Sequence, residues 1–344
     1  MPLMTDRTVQ HSRRKRLLQG LALSLTSLAL FLVACEIALR IAGYGNLEIY
    51  EPDPSLYWKL KPNQDCLTKI GRKPVHINSH GTRGAEFETR KPPGTFRVLS
   101  LGDSRTFGWG LTEAETYSSQ LRVLLQEKAG AGKKIEVINA GVNAWSYPQM
   151  LVYFRDTGLR FQPDVVVLAE ANLWTQFSDR NSPEFVRRFT WRVWLKNFLR
   201  RFAIYHWVVE VQLKEFYERH RTNFIPVDPK QDPMFREQQQ SDPEAVFRSA
   251  IEELCKTALT SGVKPVLLYL PALEDLGPTN NSCALKVKRG ISAGLGVPLV
   301  DLTVDFRPLG KDLYLEADPV HPNPRGNQII ARRLFEAVDK LANR

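Results

Sequence analysis

The chain has 344 residues, of which 43% are apolar and 24% are charged. This composition is typical of a folded globular body and excludes a disordered or fibrous chain. The formal net charge is +10, and the first sixteen residues contribute four of these charges. The remaining excess is spread along the chain without basic runs interleaved with stacking aromatics, apart from one stretch described below, which argues against nucleic-acid binding.

The cysteines give little evidence of metal or redox chemistry. Cys35, Cys66, Cys255 and Cys283 are far apart in the sequence, whereas zinc sites and redox motifs require close pairs. We therefore expect no metal and no cofactor. If the body of the chain is exported, one disulfide among the last three cysteines can form, which leaves the third thiol free.

An apolar segment follows a basic N-terminus. Residues 17–35 carry no charge, and about 20 apolar residues suffice for a helix to cross a bilayer. The arginines and lysine at positions 13–16 are expected to stay in the cytoplasm. The pattern predicts a cytoplasmic tail over 1–16, a transmembrane signal anchor over 17–42, and a single-pass inner-membrane protein with its body in the periplasm.

Three other interpretations of this segment stay open. It is long for a cleaved secretory signal, which usually ends at a small-residue cleavage site. The residues before Cys35 are similar to a lipoprotein processing site, although apolar character resumes at Ile37. Arg13 and Arg14 are compatible with twin-arginine export, but Arg16 stands where that motif prefers an aromatic residue.

Beyond the anchor the pattern changes twice. Residues 43–95 are rich in proline, glycine and short mixed segments, which predicts a juxtamembrane extension of strands and turns. From residue 96, apolar runs alternate with helical stretches near 115–129, 148–161, 281–295 and 324–341. Five nearly continuous apolar runs predict an α/β domain over 96–344 with a doubly wound, flavodoxin-like, five-stranded parallel sheet covered by helices on both faces.

A long insertion, residues 174–241, separates the third run from the fourth. Within it, residues 185–207 read FVRRFTWRVWLKNFLRRFAIYHW, with aromatic and basic residues interleaved. This composition indicates a basic amphipathic helix. Three roles are compatible with it: packing on the domain, a lid over a site, or a helix resting on lipid headgroups.

Two separate positions carry residues suited to nucleophilic chemistry. Ser104 directly follows the run RVLSLG, at the carboxyl end of a predicted strand, where open α/β sheets bind ligands. Asp318 precedes His321 by three residues, just before the last helix. A serine nucleophile requires a base, and an imidazole base requires a partner on its other nitrogen. Ser104 and its neighbouring aspartate are equally compatible with a turn or a helix cap.

Four blocks carry a specific resemblance. GDSRTFGWG, NAGVNAWSY, EANLW and DPVHPN occur in this order from residue 102 to residue 323, and the chain resembles the SGNH/GDSL hydrolase family, in particular its membrane-tethered bacterial members. The resemblance implies a catalytic triad of Ser104, Asp318 and His321. It also implies an oxyanion hole formed by the backbone N–H groups of Ser104 and Gly141 and the side-chain amide of Asn172, although Gly141 can equally serve a tight turn and Asn172 a loop cap.

The third block departs from the family pattern. The family usually reads Gly-x-Asn-Asp, whereas this chain has Glu170 at the first position and Leu173 at the last, which leaves open how Asn172 is held. Arg105 faces either a substrate carboxylate or solvent. Three tryptophans beside the blocks are candidates for stacking on a sugar or for core packing; they are Trp109, Trp145 and Trp174.

The sequence therefore predicts a serine esterase that acts outside the cytoplasm on an acyl ester, with an O-acetyl group of an envelope carbohydrate as the expected substrate and a lipid ester as the alternative. Two further hypotheses remain. The same triad serves an O-acyltransferase that acts on a polysaccharide, and the altered third block is compatible with a non-catalytic polysaccharide-binding or assembly protein. The expected partners are the ester substrate and the membrane.

Overall fold

We describe the chain from a computed structural model, which covers residues 5–68, 71–170, 191, 194–213, 243–277, 282–316 and 318–342. These residues form two compact units, and each is described by itself. The first comprises the described parts of Met1–Asn46 and Phe198–Phe224. The second comprises those of Leu47–Asn197 and Ile225–Arg344.

The strands in chain order are β1 (Tyr50–Asp53), β2 (Tyr57–Leu60), β3 (Gln64–Leu67), β4 (Pro74–Ile77), β5 (Thr95–Gly102), β6 (Lys134–Gly141), β7 (Val165–Leu168), β8 (Lys264–Tyr269) and β9 (Leu299–Asp301). The α-helices are α1 (Thr5–Ile41), α2 (Ser104–Phe107), α3 (Tyr117–Ala129), α4 (Tyr147–Asp156), α5 (Ala203–Tyr205), α6 (Pro243–Thr260), α7 (Cys283–Leu295), α8 (Thr303–Phe306) and α9 (Pro324–Ala342). A π-helix, His206–Leu213, continues α5.

The first unit contains the apolar N-terminal helix and part of the insertion. Within the range Arg14–Ile41 of α1, the most apolar 18-residue window has a mean hydropathy of 2.1, and none of this window is buried. This is the one helix among the described residues that is long and apolar enough to cross a membrane. Its extent agrees with the predicted anchor, although a signal sequence has the same properties.

The second unit contains the predicted sheet. Five parallel strands lie in the order β6-β5-β7-β8-β9. The first of them in the chain, β5, is second in the sheet. The chain continues from β5 to the edge strand β6 and then adds β7, β8 and β9 on the other side of β5. Val98 pairs with Val137 on one side and Val165 on the other. This is the strand order of a doubly wound, flavodoxin-like sheet, and the predicted fold class is confirmed.

Apolar side chains alternate between the two faces of the sheet. Leu99 and Leu101 of β5 belong to a cluster with residues of α4, α6 and α7. Val98 of the same strand belongs to a second cluster with residues of α3 and α9. Because neighbouring side chains of a strand point to opposite faces, a nearly continuous apolar run fills both clusters, which is why the strands read as buried in the sequence.

Local signals explain where two predicted helices begin. The side chain of Thr116 accepts a hydrogen bond from the N–H of Ser119 and caps α3. Ser146 and Gln149 form a capping box at the start of α4, the arrangement that satisfies two otherwise unpaired N–H groups. The predicted helix over 148–161 is divided into α4 and a short 3-10 helix, Gly158–Phe161.

The extension predicted over 43–95 does contain strands and turns, as the hairpins β1–β2 and β3–β4 show. From Leu47 onward, however, it is part of the same compact unit as the sheet. Leu60, Val75 and Ile77 are buried in one cluster with Leu99 of β5. The extension thus contributes side chains to the hydrophobic core of the unit that contains the sheet.

Most of the predicted insertion, 174–241, lies outside the described residues, and only position 191 and residues 194–213 of it are described. The cysteines are all described, and each is a free thiol. Cys66 and Cys255 are buried, and burial raises the pKa of each thiol to about 12, which makes them poor nucleophiles.

Candidate active site

Ser104 begins the short helix α2 immediately after strand β5. The side chain of Asp103 caps this helix by accepting a hydrogen bond from the N–H of Arg105 at 2.9 Å. Gly108 ends the helix in the left-handed conformation with φ 86°, which glycine adopts without steric cost. This sharp strand-to-helix turn brings the Ser104 hydroxyl to the carboxyl edge of the sheet.

His321 lies between Ser104 and Asp318. Its Nε2 atom is 2.8 Å from the Ser104 Oγ, and its Nδ1 atom is 2.7 Å from the Asp318 Oδ2. The three residues that the sequence suggested therefore meet, although Ser104 and His321 are 217 positions apart. In such an arrangement an imidazole can take a proton from a hydroxyl while a carboxylate fixes the ring tautomer.

The Asp318 carboxylate is held in its ionised form. Burial works to raise its pKa, but the hydrogen bond and charge of His321 together with the backbone N–H groups of Val320 and His321 lower it below 3.8. These N–H groups lie 3.0 and 3.2 Å from Oδ1. Hydrogen bonds to the charged form thus outweigh desolvation.

Two asparagines that the sequence reading did not single out hold the loop of His321. Asn323 donates to the carbonyls of Asp312 at 2.9 Å and Tyr314 at 3.1 Å. Asn327 donates to the Pro322 carbonyl at 3.0 Å and accepts the Tyr117 N–H at 2.9 Å. Both asparagines lie within six residues of His321, a clustering of polar residues that could have pointed to this supporting role.

Arg83, from the extension, supports the other side of the site. It is 3% exposed, and its guanidinium donates to the carbonyls of Phe107 and Gly108, each at 2.8 Å, and Leu111 at 2.6 Å. These carbonyls end helix α2 and begin the next loop. A single arginine therefore satisfies three backbone acceptors directly behind Ser104, a contact that no local sequence pattern predicts.

Gly141 packs against α2. A Cβ atom there would lie 2.2 Å from the Phe107 nitrogen, so that only glycine allows this approach. The Gly141 N–H donates to the Asn139 Oδ1 at 3.1 Å, and Asn139 Nδ2 donates to the Thr106 carbonyl at 2.9 Å. The N–H of this predicted oxyanion donor is thus bonded to Asn139, and the absence of a side chain allows α2 to approach closely.

Another residue of the same block lies at the cavity beside Ser104. Ala144 lines this cavity together with Ser104 and His321. Its φ is 63°, a left-handed conformation that is uncommon for residues other than glycine and is often found at functional sites. Gly141 is not among the described residues that line the cavity.

The third block is described only in part. Asn172, the third predicted oxyanion donor, lies outside the described residues, as do Leu173 and Trp174. Glu170 is 3% exposed, and its backbone carbonyl accepts the N–H of Asp103 at 2.9 Å. This backbone contact joins the end of β7 to the turn that carries Ser104.

The Glu170 side chain has a cationic partner. Its Oε1 atom accepts a hydrogen bond from Lys288 Nζ, which also donates to the Leu268 carbonyl at 2.5 Å. Lys288 is fully buried, with Nζ 5.7 Å from the ring centroid of Tyr147 and 5.8 Å from that of Tyr269. Burial lowers the pKa of Lys288 despite the nearby carboxylate. The buried ammonium group of Lys288 thus compensates the negative charge of Glu170 beside the cavity.

Arg105 lines the cavity at Ser104 and is bound within the protein by the neighbouring Asp103. Its guanidinium binds the Asp103 carboxylate through Nη2 at 2.8 Å and Nε at 3.2 Å, and Nη1 lies 3.3 Å from the Leu270 carbonyl. Burial works to lower the pKa of Arg105, but the charge of Asp103 raises it above its ordinary value. Arg105 therefore neutralises the capping carboxylate beside Ser104.

The cavity that opens at Ser104 has a volume of about 540 Å³. Besides the groups already described, its lining includes Trp109, Asn143, Glu274 and Asp275. The Trp109 ring lies 6.3 Å from the His321 ring at an interplanar angle of 32°. Trp145, by contrast, is fully buried and donates from Nε1 to the Trp58 carbonyl at 2.9 Å, so that of the described tryptophan candidates only Trp109 reaches the cavity.

Comparison with known proteins identifies the class of this site. The model of the GDSL-like lipase/acylhydrolase family matches residues 100–329, which include the end of strand β5 before Ser104 and the loop of His321. The chain belongs to this family and is a carboxylic ester hydrolase. The resemblance seen in the sequence is thereby confirmed.

The chain is also similar to solved structures of esterases. Axe2, an acetylxylan esterase from Geobacillus stearothermophilus, is similar at 16% identity and a TM-score of 0.45, covering 71% of this chain and 94% of its own. The psychrotrophic esterase EstA from Pseudoalteromonas sp. is similar at 15% identity and a TM-score of 0.43, covering 72% of this chain and 99% of its own. No curated protein matches the chain in sequence.

Proposed function

We propose that Ser104 is the nucleophile of an acyl-enzyme mechanism, with His321 as the base and Asp318 as its orienting partner. The observation that carries the proposal is the pair of contacts at His321, 2.8 Å to the serine oxygen and 2.7 Å to the carboxylate. Ser104 Oγ attacks the acyl carbonyl while His321 Nε2 takes its proton and then gives it to the departing alcohol. Water activated by the same nitrogen then releases the carboxylic acid.

The negative charge that develops on the acyl oxygen requires N–H donors. Ser104 supplies one, because the first N–H groups of a helix have no partner within that helix. For the second backbone donor we propose Ala144 in place of Gly141, since Ala144 lines the cavity at Ser104 and Gly141 is not among the described residues that line it. Asn172 remains the proposed side-chain donor and lies outside the described residues.

The lining of the cavity favours an acetylated sugar as substrate. Trp109 presents part of an indole ring beside His321, and a sugar ring can stack on such a surface. Glu274 and Asp275 add two carboxylates to the lining, in addition to the compensated Asp103 and Glu170. These charges repel a phosphate or a uronate, so that a neutral glycan fits better than an anionic phospholipid.

We also propose that α1 anchors the protein in the inner membrane and that the ester hydrolase acts in the periplasm. Its uncharged stretch is long enough to cross the bilayer, and the basic residues at positions 13–16 precede it. An acetylated polysaccharide of the cell envelope would then be the natural substrate. Cleavage of the body by protease added to spheroplasts, with an intact cytoplasmic marker, is the expected result.

The deciding experiment compares full-length wild type with Ser104→Ala in detergent, measuring acetate release from p-nitrophenyl acetate and from an acetylated oligosaccharide. We expect the substitution to lower turnover by a factor of about 10³ or more, because the nucleophile of an acyl-enzyme mechanism is lost. Ser119→Ala on α3 is the matched control and keeps full activity. Equal rates for wild type and Ser104→Ala, with both folded, would refute the assignment.

A further inference from the structure

The part of the insertion in the first unit is bound to the C-terminal end of α1. The Glu36 carboxylate accepts hydrogen bonds from the backbone N–H groups of Ala203 at 2.9 Å and Ile204 at 3.1 Å. Arg40 pairs with Glu36 at 2.8 Å and donates to the Arg201 carbonyl at 2.5 Å. One acid and one base of α1 thus hold the first turn of α5.

A second set of contacts extends this junction beyond the end of α1. The Gly45 N–H donates to the His206 Nδ1 at 2.9 Å, and His206 is 2% exposed. The rings of Tyr44 and His206 meet edge to face with centroids 5.3 Å apart. A Cβ atom on Gly45 would lie 3.5 Å from the Ala203 Cβ. Residues 198–213, which we name the collar, are therefore packed against α1 over several residues.

The collar exposes large apolar side chains. Phe198 is 45%, Phe202 41%, Trp207 39% and Leu213 54% exposed. The rings of Phe198 and Phe202 form an edge-to-face pair with centroids 5.5 Å apart. Aromatic residues in such numbers on a small surface are typical of a contact with a protein or a membrane.

The position of the junction on α1 favours a membrane as the partner of this surface. The uncharged stretch of α1 ends at Cys35, and Glu36 is the next residue. Its 19 residues span about 28 Å at 1.5 Å per residue, close to the thickness of a bilayer core of about 30 Å. Glu36 and Arg40 would then lie where the hydrocarbon ends, and the collar that they hold would lie at the depth of the headgroups.

We propose that the collar is a membrane-interfacial element whose aromatic side chains insert between the phospholipid headgroups of the leaflet from which α1 emerges. The inference rests on the proposed anchoring of α1. Phenylalanine and tryptophan partition into this interface, where an apolar ring and a polar edge are both accommodated. The junction also explains how an acid is tolerated directly after the apolar stretch, since Glu36 is bonded to Arg40 and to two N–H groups.

The test uses the full-length protein reconstituted in bilayers of phosphatidylcholine and phosphatidylglycerol that carry bromine at a shallow or a deep acyl position. The difference in emission between wild type and Trp207→Phe isolates Trp207 from the other six tryptophans. We expect shallow bromine to quench this difference signal about twofold more strongly than deep bromine, as for a side chain at headgroup depth. Trp58→Phe, in the second unit, is the matched control, and it is expected to leave the part of the emission that bromine quenches unchanged.

The junction is tested separately by Glu36→Gln, with the exposed Glu127→Gln as its control. Loss of the carboxylate charge weakens the contacts to Ala203, Ile204 and Arg40, so that we expect reduced bromine quenching of Trp207 in Glu36→Gln and none of this reduction in Glu127→Gln. Quenching that is the same in wild type and Trp207→Phe overturns the collar proposal.

Flotation of the same vesicles separates the two proposals. Protein that floats with the vesicles but shows no quenching of Trp207 keeps the anchor and refutes the interfacial collar. Protein that does not float refutes the anchor and the collar together. Neither result affects the assignment of Ser104, which depends on acetate release.

Discussion

At the scale of single residues, the state of Asp318 is decided by its hydrogen bonds. Its pKa lies below the ordinary 3.8 because His321 and two backbone N–H groups favour the charged form. A carboxylate with a lowered pKa contributes stability above its unfolded pKa, and this contribution is lost as the pH falls through the folded pKa. The pH range over which this contribution to stability is lost therefore lies at and below pH 3.8.

For Asp318→Asn we expect two results. Turnover falls by a factor of up to about 10⁴, because the amide no longer fixes the His321 tautomer or stabilises the imidazolium. The difference in unfolding free energy between wild type and variant is constant at neutral pH and shrinks as the pH falls below 4. Urea denaturation at a series of pH values measures this difference. A difference that does not change with pH contradicts the ionic role of Asp318.

The pair of Glu170 and Lys288 is expected to show strong coupling. Lys288→Met leaves the Glu170 carboxylate buried beside the cavity without its cation, at a cost of about 3–5 kcal/mol. Glu170→Gln in the same chain removes that charge and recovers most of the loss. A double-mutant cycle by urea denaturation measures the coupling, and additive effects of the two substitutions would show that the pair does not interact.

At the scale of elements, the contact between β6 and α2 sets the position of Ser104. Gly141→Ala places a methyl group 2.2 Å from the Phe107 nitrogen, so that α2 must move. We expect a loss of about 3 kcal/mol of stability or more, because the clash involves backbone atoms, and a marked fall in turnover. Gly132→Ala, where a Cβ would meet nothing within 4 Å, is the matched control and leaves both quantities nearly unchanged.

The three carbonyls that Arg83 satisfies connect the extension to the same element. Removing their donor takes one hydrogen bond from each carbonyl, although that of Gly108 keeps the Leu111 N–H at 3.1 Å and that of Phe107 keeps the Asn139 Nδ2 at 3.4 Å. A buried acceptor left without a donor costs about 1–3 kcal/mol, and the Leu111 carbonyl is the group exposed to this loss. Arg83→Met keeps most of the side-chain volume, so that the loss of hydrogen bonds dominates. We expect lower stability and lower turnover together, whereas the exposed Arg122→Met on α3 changes neither. Thermal unfolding and acetate release measure the two effects.

At the scale of the whole molecule, the second unit begins at Leu47, and residues before the sheet complete its core. Residues 47–344 are therefore expected to fold and to hydrolyse esters. Residues 96–344 lack Leu60, Ile77 and Arg83 and are expected to be unfolded or aggregated, since several buried side chains and a buried hydrogen-bond donor are missing. Circular dichroism and size-exclusion chromatography distinguish the two chains. A folded, active 96–344 would support the boundary predicted from the sequence.

Much of this arrangement could be read from local patterns. The apolar runs predicted β5 to β9 in chain order, and the strand ends placed Ser104 at the sheet edge. The three-residue spacing of Asp318 and His321 put both on one loop. These inferences succeeded because side-chain periodicity, turn residues and short spacings depend on neighbours in the chain, which the sequence displays directly.

What the tertiary structure decided depends on residues far apart in the chain. Asn139 of β6 donates to the Thr106 carbonyl of α2, and Ala144 lines the cavity beside Ser104 and His321. Trp145 is buried because the extension covers it, and Lys288 reaches Glu170 across 118 positions. The sequence by itself determined the family, the order of the strands along the chain and the residues able to carry the chemistry. Which N–H groups, charges and rings reach the cavity was determined only by packing, because hydrogen bonds and burial are settled by contacts between distant segments.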